Sequence, residues 1–269
     1  MYLGVTLDRT LSFKKHLENT KAKVTTRNNI LRKLVNSKWG AGPPAICATA
    51  MALCLSTAEH ACSRWSRSRH TKLVDTALND TCRIITGCGK TPPVPCLYAL
   101  AGISPPPIGR LGIAQDERRT PETDIRHPLH PRSTPTQAPI QSQFVQTVLP
   151  LQTARQAARS NIWEDEWQRN DTRALEWLDR GLTPTESLPS RHDLSWTTWK
   201  SLHRLRVERG RCKALMKVWN YTTEDTCSCG SEQTMSHLLE CADAPGAVQK
   251  TWQNLPLSCG LCRYWQNDI

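Results

Sequence analysis

Apolar residues recur at helical spacing near the start of the chain and predict an amphipathic helix. Leu17, Val24 and Leu31 stand seven residues apart, and basic residues occupy much of the remaining sequence. Ser12 precedes this pattern and is the expected N-cap, because serine side chains accept from the free N–H groups of a first turn. The pattern therefore predicts a basic helix from Ser12 to about Val35.

Two further patterns complete a predicted three-helix bundle over residues 1–104. An apolar run after Gly42 predicts a buried helix to about Trp65, with two prolines in its first turn. A second amphipathic pattern predicts a helix over 71–86, and Gly87 follows it where a C-terminal cap is expected. We therefore expect a mainly α protein that begins with a small helical bundle.

Proline interrupts the helical patterns in the middle of the chain. Twelve of the 18 prolines lie between Pro92 and Pro150. Because proline lacks an N–H and disfavours a helical predecessor, we expect residues 105–150 to form an extended, disordered linker.

A second helical module, rich in tryptophan, is predicted over 151–269. Helical patterns cover about 151–180 and 194–219, and seven of the ten tryptophans lie beyond residue 160 up to residue 252. The tryptophans are interpreted as core anchors, with stacking on nucleic-acid bases as the alternative. The acidic run 164–166 lies between two of them and is interpreted as the solvated side of a helix.

The positive charge is concentrated in the first part of the chain. The chain carries +11, and residues 1–40 contribute nine basic and two acidic residues to it. Residues 41–110 contribute seven and three, so the rest of the chain sums to zero. This distribution indicates a polyanionic partner, nucleic acid first, with a solubilising surface as the alternative. The candidate nucleic-acid-binding residues are Lys14, Lys15, Lys21, Lys23, Arg27, Arg32 and Lys33.

Cysteine and histidine spacing predicts a metal site near the end of the chain. Cys227 and Cys229 flank one residue, and His237 and Cys241 stand four residues apart. Four such ligands suit tetrahedral zinc, and free thiols are the alternative. Cys259 and Cys262 form a weaker candidate pair. Most of the other cysteines are expected to pack as small apolar residues.

Other classes of protein lack support in the sequence. The longest apolar run, 45–55, is too short to span a membrane, and no secretory signal is visible, so we expect an intracellular protein of the nucleus or cytoplasm. No Asp-Asp pair, phosphate-binding glycine loop or His-Glu-x-x-His sequence occurs. We therefore assign no catalytic residue.

Several short segments occur along the chain in an order that is typical of one known family. The segment 2–8, Tyr-Leu-Gly-Val-Thr-Leu-Asp, is similar to the sequence that follows the polymerase active site in reverse transcriptases of non-LTR retrotransposons, especially jockey-like elements. Segments 83–87 (Arg-Ile-Ile-Thr-Gly) and 100–103 (Leu-Ala-Gly-Ile) resemble its thumb and post-thumb region. The run 227–230 with 237–241 resembles its C-terminal cysteine and histidine motif.

This resemblance implies a thumb-like bundle, a linker and a zinc-knuckle module. It implies that Tyr2, Leu3 and Gly4 correspond to a primer-grip segment, that the partners are RNA and an RNA–DNA template–primer duplex, and that Cys227, Cys229, His237 and Cys241 bind structural zinc. Magnesium belongs only to the palm of the intact parent polymerase, whose paired aspartates this sequence lacks.

We therefore expect a C-terminal portion of an RNA-directed DNA polymerase that binds template–primer and is not an enzyme by itself. The alternatives are a non-enzymatic nucleic-acid-binding or interaction protein derived from a retroelement, and an inert remnant. Protein partners are not indicated.

Overall fold

The chain adopts a helical fold in the residues that the computed structural model describes, which are 3–35, 40–123, 125–126, 155–170, 178, 182–189, 192–241 and 243. Regular structure in these residues is helical, apart from an isolated antiparallel bridge between Thr226 and Glu232. The predicted mainly α class is confirmed.

Helix α1, Lys14–Leu34, buries its apolar stripe as predicted. Leu17, Val24 and Leu31 are fully buried, and α1 packs along helix α5, Lys72–Thr86. The predicted N-cap position is wrong by one residue, because the helix is preceded by Phe13 in the left-handed region with φ 59°. The Ser12 hydroxyl oxygen does accept from the Lys14 N–H at 3.3 Å, and Ser12 also donates its hydroxyl and its backbone N–H to Asp8 at 2.6 and 2.7 Å.

The second predicted helix is divided into shorter segments. Helix α2, Pro43–Ala50, continues through a π-helical turn, Met51–Leu55, into α3, Ser56–Glu59. The chain then turns before α4, Cys62–Trp65. The predicted continuous helix to Trp65 is wrong beyond α3, because Ala61 adopts φ 52° and the Trp65 indole N–H donates to the His60 carbonyl at 3.0 Å.

The third predicted helix is confirmed as α5, and Gly87 ends it in the left-handed region with φ 68°. Val74, Ile85 and neighbouring apolar residues of α5 contribute to the main core. Helix α6, Val94–Ala101, follows and is buried from Cys96 to its last residue.

Helix α7, Pro106–Thr123, lies within the segment that was predicted to be an extended linker. That prediction is therefore wrong over 106–123, and residues 127–150 lie outside the described part of the chain. Tertiary contacts hold this helix: Ile108 is buried in the main core, and Arg110 forms an ion pair with Asp75 while its guanidinium lies over the Trp65 ring at 5.7 Å.

Helix α8, Arg155–Asn170, packs on α7 and adds Trp163 and Trp167 to the same core as α1. Residues 164–166 between them are exposed, which confirms the predicted solvated side. Helix α9, Trp196–Arg206, is shorter than the pattern over 194–219 predicts, because Glu208 adopts φ 50°.

Helix α9 connects the main core to a second, smaller one. The Trp199 indole N–H donates to the Ile85 carbonyl of α5 at 3.2 Å, whereas Leu202 and Leu205 belong to the second core. Helices α10, Lys213–Val218, and α11, His237–Glu240, complete this region. Trp163, Trp167 and Trp199 are buried, which confirms the interpretation of these tryptophans as core anchors.

Candidate metal centre and basic surface

A tight turn presents the first two candidate metal ligands. Residues on either side of it form the bridge between Thr226 and Glu232. The Cys227 N–H donates to the Ser231 carbonyl at 2.8 Å, and the Gly230 N–H donates back to the Cys227 carbonyl at 3.0 Å. Gly230 adopts φ 87°, which glycine tolerates without a Cβ clash. The turn thereby brings both thiols of a Cys-x-Cys pair to one side.

Helix α11 presents the other two candidate ligands. The His237 N–H donates to the Thr234 hydroxyl at 3.1 Å, and the Leu238 N–H donates to the Thr234 carbonyl at 3.2 Å, so Thr234 fixes the start of the helix. Cys241 is the C-cap of the same short helix. His237 and Cys241 therefore face the turn from one helical element.

Gln233 joins the turn to α10. Its side-chain oxygen accepts from the Lys213 N–H at 2.9 Å, and its carbonyl accepts from the Ala214 N–H at 3.2 Å. Its own N–H donates to the Asp225 carbonyl at 2.7 Å, and the residue is buried. Gln233 therefore fixes the start of α10 relative to the cysteine turn.

The four candidate ligands form one compact cluster. The ligand atoms of Cys227, Cys229, His237 and Cys241 all lie within 4.8 Å of one another. The Cys227 and Cys241 sulfur atoms are 3.7 Å apart, and the Cys229 sulfur lies 3.3 Å from His237 Nε2. Two sulfur ligands at about 2.3 Å from one tetrahedral zinc ion lie about 3.8 Å apart. This Cys3His cluster could hold a metal such as zinc.

The protein surroundings favour ionisation of one thiol in the Cys3His cluster. Burial opposes ionisation of Cys227, but hydrogen bonds from the Cys229 N–H and from the His237, Ser228 and Cys241 side chains outweigh it and lower the pKa of Cys227 to about 6. Burial is the main cause that raises the pKa of Cys241 to about 11. The cluster thus supplies one thiolate near neutral pH, the form in which cysteine binds a metal.

The predicted nucleic-acid-binding residues divide into two groups in the structure. Lys14, Lys15, Lys21, Lys23, Arg32 and Lys33 are exposed on α1. Arg27 is half-buried instead, and its Nη1 atom donates to the Leu53 carbonyl in the π-helical turn at 2.6 Å. Arg27 therefore joins α1 to the neighbouring element as well as carrying charge.

The segment that resembles a primer grip is only partly described. Tyr2 lies outside the described residues. Leu3 is 79% exposed with φ 44°, and Gly4 follows with φ 82°. The Leu3 carbonyl accepts from His60 Nε2 at 3.3 Å, which attaches this turn to the residue after α3. Cys259 and Cys262 also lie outside the described residues.

Two histidines that lie close together near α1 were not among the site residues predicted from the sequence. His16 is buried on α1, and His60 lies across from it beyond α3. The sequence does indicate the residues on α1, because His16, Thr20, Lys23 and Arg27 recur at helical spacing on one side of that helix. The long-range partner His60 has no such local signal.

Comparisons with known protein families, curated proteins and solved structures gave no match to this chain. Across the described residues, every helix is too short or too polar to span a lipid bilayer. The candidate site is therefore classified from its own geometry, as a candidate Cys3His metal centre in a chain that also contains a basic helical bundle.

Proposed function

We propose that this chain is the nucleic-acid-binding, non-catalytic C-terminal portion of a non-LTR retrotransposon reverse transcriptase. In this proposal α1 contacts the phosphate backbone of RNA and of an RNA–DNA template–primer duplex. The observation that carries the proposal is the set of six exposed lysine and arginine side chains on α1, whose opposite side is buried.

The length and charge of α1 suit a nucleic-acid backbone. Its 21 residues extend about 30 Å, which corresponds to about nine phosphates of one strand at a rise of about 3.4 Å. Glu18 is its one acidic residue, and it lies 3.9 Å from Lys15. The helix therefore presents positive charge to solvent with almost no acidic residue to balance it. This charge favours a polyanion as the binding partner over the acidic surface patch of another protein.

Structural zinc is the metal that we propose for the Cys3His cluster. Three thiolates and one imidazole are soft ligands that select zinc over magnesium or calcium. With all four positions of a tetrahedron taken by side chains, such a site has no open position for substrate. The zinc would hold the cysteine turn and α11 together as a knuckle.

Duplex binding by the full chain tests the proposal. The expected result is that affinity for an RNA–DNA duplex falls with salt, with a log–log slope of about −3 to −6 if four to seven phosphates are contacted. The double variant Lys14→Gln/Lys21→Gln should reduce that slope by about 2. Lys72→Gln/Lys90→Gln is the control, because both residues are exposed but lie outside α1.

A salt-independent affinity, or equal loss in both double variants, would contradict a binding role for α1.

Primer extension tests the non-catalytic part of the proposal. In magnesium or manganese the purified chain should yield no product above buffer, since two-metal phosphoryl transfer requires carboxylates that hold both ions. Template-dependent extension would show that an active site has been missed.

A further inference from the structure

A cleft of about 310 Å³ lies between α1 and the segment formed by the π-helical turn and α3. Residues of α1 form one wall, and residues of the π-helical turn and α3 form the other. Gly4 also lines the cleft, and the preceding Leu3 carbonyl accepts from His60 Nε2 at 3.3 Å. π-Helical turns are frequent at functional sites, and the turn Met51–Leu55 forms part of this wall.

The cleft is lined by cationic and donor groups. Its α1 wall carries His16, Thr20, Lys23 and Arg27, and His60 faces them. The described residues that line it include no aspartate or glutamate. Glu59 precedes His60 but directs its Oε1 atom toward Gly109 of α7. The positive charge inside the cleft therefore has no protein counter-ion among its lining residues.

His16 brings an unused hydrogen-bond donor to this wall. The residue is 5% exposed, and its Nδ1 atom accepts from the Thr6 N–H at 3.4 Å. Neutral His16 must then carry its proton on Nε2. This buried Nε2 atom has no hydrogen-bond partner in the described part of the chain, which costs free energy unless an acceptor is supplied from outside.

The other polar groups of the cleft are fixed in place. Thr20 donates its hydroxyl to the His16 carbonyl at 2.9 Å, and Thr57 donates to the Leu53 carbonyl at 2.8 Å. Arg27 donates to the same Leu53 carbonyl through Nη1, which leaves further N–H donors on its guanidinium. Lys23 is exposed and has no ion-pair partner within the described ranges.

We propose that this cleft binds a phosphate group, with Lys23 and Arg27 supplying charge and His16 supplying an N–H to the anion or to water that it orders. The source that we favour is a phosphodiester of a nucleic-acid strand held along α1, and in that respect the inference rests on the proposed function. Free inorganic phosphate offers the same chemistry, so the two sources are separated by experiment.

Charge and donors of this kind suit an oxyanion. Guanidinium and ammonium groups form short, charge-assisted hydrogen bonds with phosphate oxygens, and arginine can do so in a bidentate manner. Lys23 and Arg27 stand four residues apart on α1, where like charges repel, so an anion between them relieves that repulsion. Phosphate contacts of this kind position a strand without reading its sequence.

The test uses the full chain with inorganic phosphate, at constant ionic strength maintained with chloride. The Tm should rise by about 3 °C at a phosphate concentration several-fold above its Kd. In histidine side-chain NMR spectra, the His16 Nε2 resonance should shift with phosphate. Both effects should be lost in Lys23→Gln and retained in Lys72→Gln, which removes the same charge from an exposed position on α5.

Duplex binding is then measured with and without phosphate at the same ionic strength. Competition by phosphate that is absent in Lys23→Gln supports the strand as the source. If phosphate raises the Tm only when Lys23 is present, and the chain binds no duplex, then the cleft is a free-phosphate site and the proposed function is overturned. If the chain binds the duplex but phosphate has no effect, the cleft inference is overturned and the proposed function stands. The same holds if Lys23→Gln and Lys72→Gln respond equally to phosphate.

Discussion

The main bundle and the Cys3His region are held together in different ways. The main core contains 29 buried apolar residues drawn from α1 through α8 and beyond. The second core contains seven, of which Cys227 and Cys241 are candidate metal ligands and two leucines come from α9. Within the described part of 213–241, Met235 and Leu238 are the buried apolar residues that remain.

This difference predicts which region would depend on a bound metal for its folding. Small structural units bury too little apolar surface to offset their conformational entropy, and metals or disulfides commonly supply the remainder. The bundle has enough core to fold through hydrophobic burial. The segment 213–241 has no core of that size, and a metal held by the Cys3His cluster would join its cysteine turn to α11.

Metal removal should therefore have the largest effect and should be confined to one region. Zinc binding contributes about 10–16 kcal/mol to the folding of small zinc-finger peptides. One zinc per chain should copurify, and chelation should abolish hydrogen-exchange protection over 213–241 while protection in α1 and α5 persists. Cys229→Ser should reduce the zinc content to near zero.

The matched control is Cys47→Ser, because Cys47 is a half-buried thiol of α2 outside the Cys3His cluster. Its zinc content should stay at one per chain. Zinc content unchanged by Cys229→Ser would exclude this cluster as the metal site. Loss of protection in both regions upon chelation would show that they fold as one unit.

A core truncation in α1 should show the reverse pattern. Leu31 is fully buried, and Leu31→Ala should destabilise the bundle by about 2–5 kcal/mol through lost burial and the cavity that remains. The neighbouring Ile30 is 47% exposed, so Ile30→Ala should change stability by less than about 1 kcal/mol. Urea unfolding monitored by tryptophan fluorescence measures both.

Zinc content is the second measurement for Leu31→Ala, and it should not change under native conditions. A variant that loses zinc along with stability would show that the Cys3His cluster depends on the main core. Since α9 contacts both cores through Trp199 and Leu205, that result would identify α9 as the element that couples them.

Sequence patterns predicted the parts of both regions that depend on local spacing. Leu17, Val24 and Leu31 define the buried side of α1, and Gly87 ends α5, because helical period and capping are properties of a few neighbouring residues. The spacing of His237 and Cys241 likewise placed two ligands on one short helix.

Predictions that depended on distant residues were less successful. The turn after α3 is held by Trp65 and His60, and α7 is stabilised by Arg110 with Asp75 across 35 residues. The prolines at 105–107 indicated a linker but lie at or before the first turn of α7, where proline is tolerated. The cleft at His16 was missed because His60, its opposite wall, is distant in sequence.

Acid should destabilise the protein through two buried histidines. Burial and then the Arg206 charge lower the pKa of His203 well below its ordinary value, and burial, His60 and Lys23 lower the pKa of His16. The unfolded chain takes up these protons near the ordinary pKa of about 6.5, whereas the folded chain does not. The stability that the two neutral histidines contribute should therefore be fully present above this pH. The free energy of unfolding should fall as the pH drops below it.

His203→Phe isolates the contribution of one histidine. Its ring packs edge-on against Trp199 with centroids 3.9 Å apart, a contact that phenylalanine can keep. The free energy of unfolding of this variant should fall less steeply between pH 7 and pH 5 than that of the unaltered chain. Because acid release of a metal bound at the Cys3His cluster would be common to both proteins, the difference between the two curves reports on His203. Parallel curves would contradict a buried neutral His203.

The smallest expected effect concerns the positive charge of α1 in the main bundle. Glu18 is the one acidic residue of α1, and its pair with Lys15 is exposed, so Glu18→Gln should change stability by less than about 0.5 kcal/mol. Duplex affinity should rise roughly twofold at low salt, since one repulsive charge leaves the proposed binding side. Glu164→Gln on α8 is the control, because it makes the same charge change at an exposed position outside α1. Equal gains in both variants would mean that net charge alone attracts the duplex, whereas a gain confined to Glu18→Gln would locate the contact on α1.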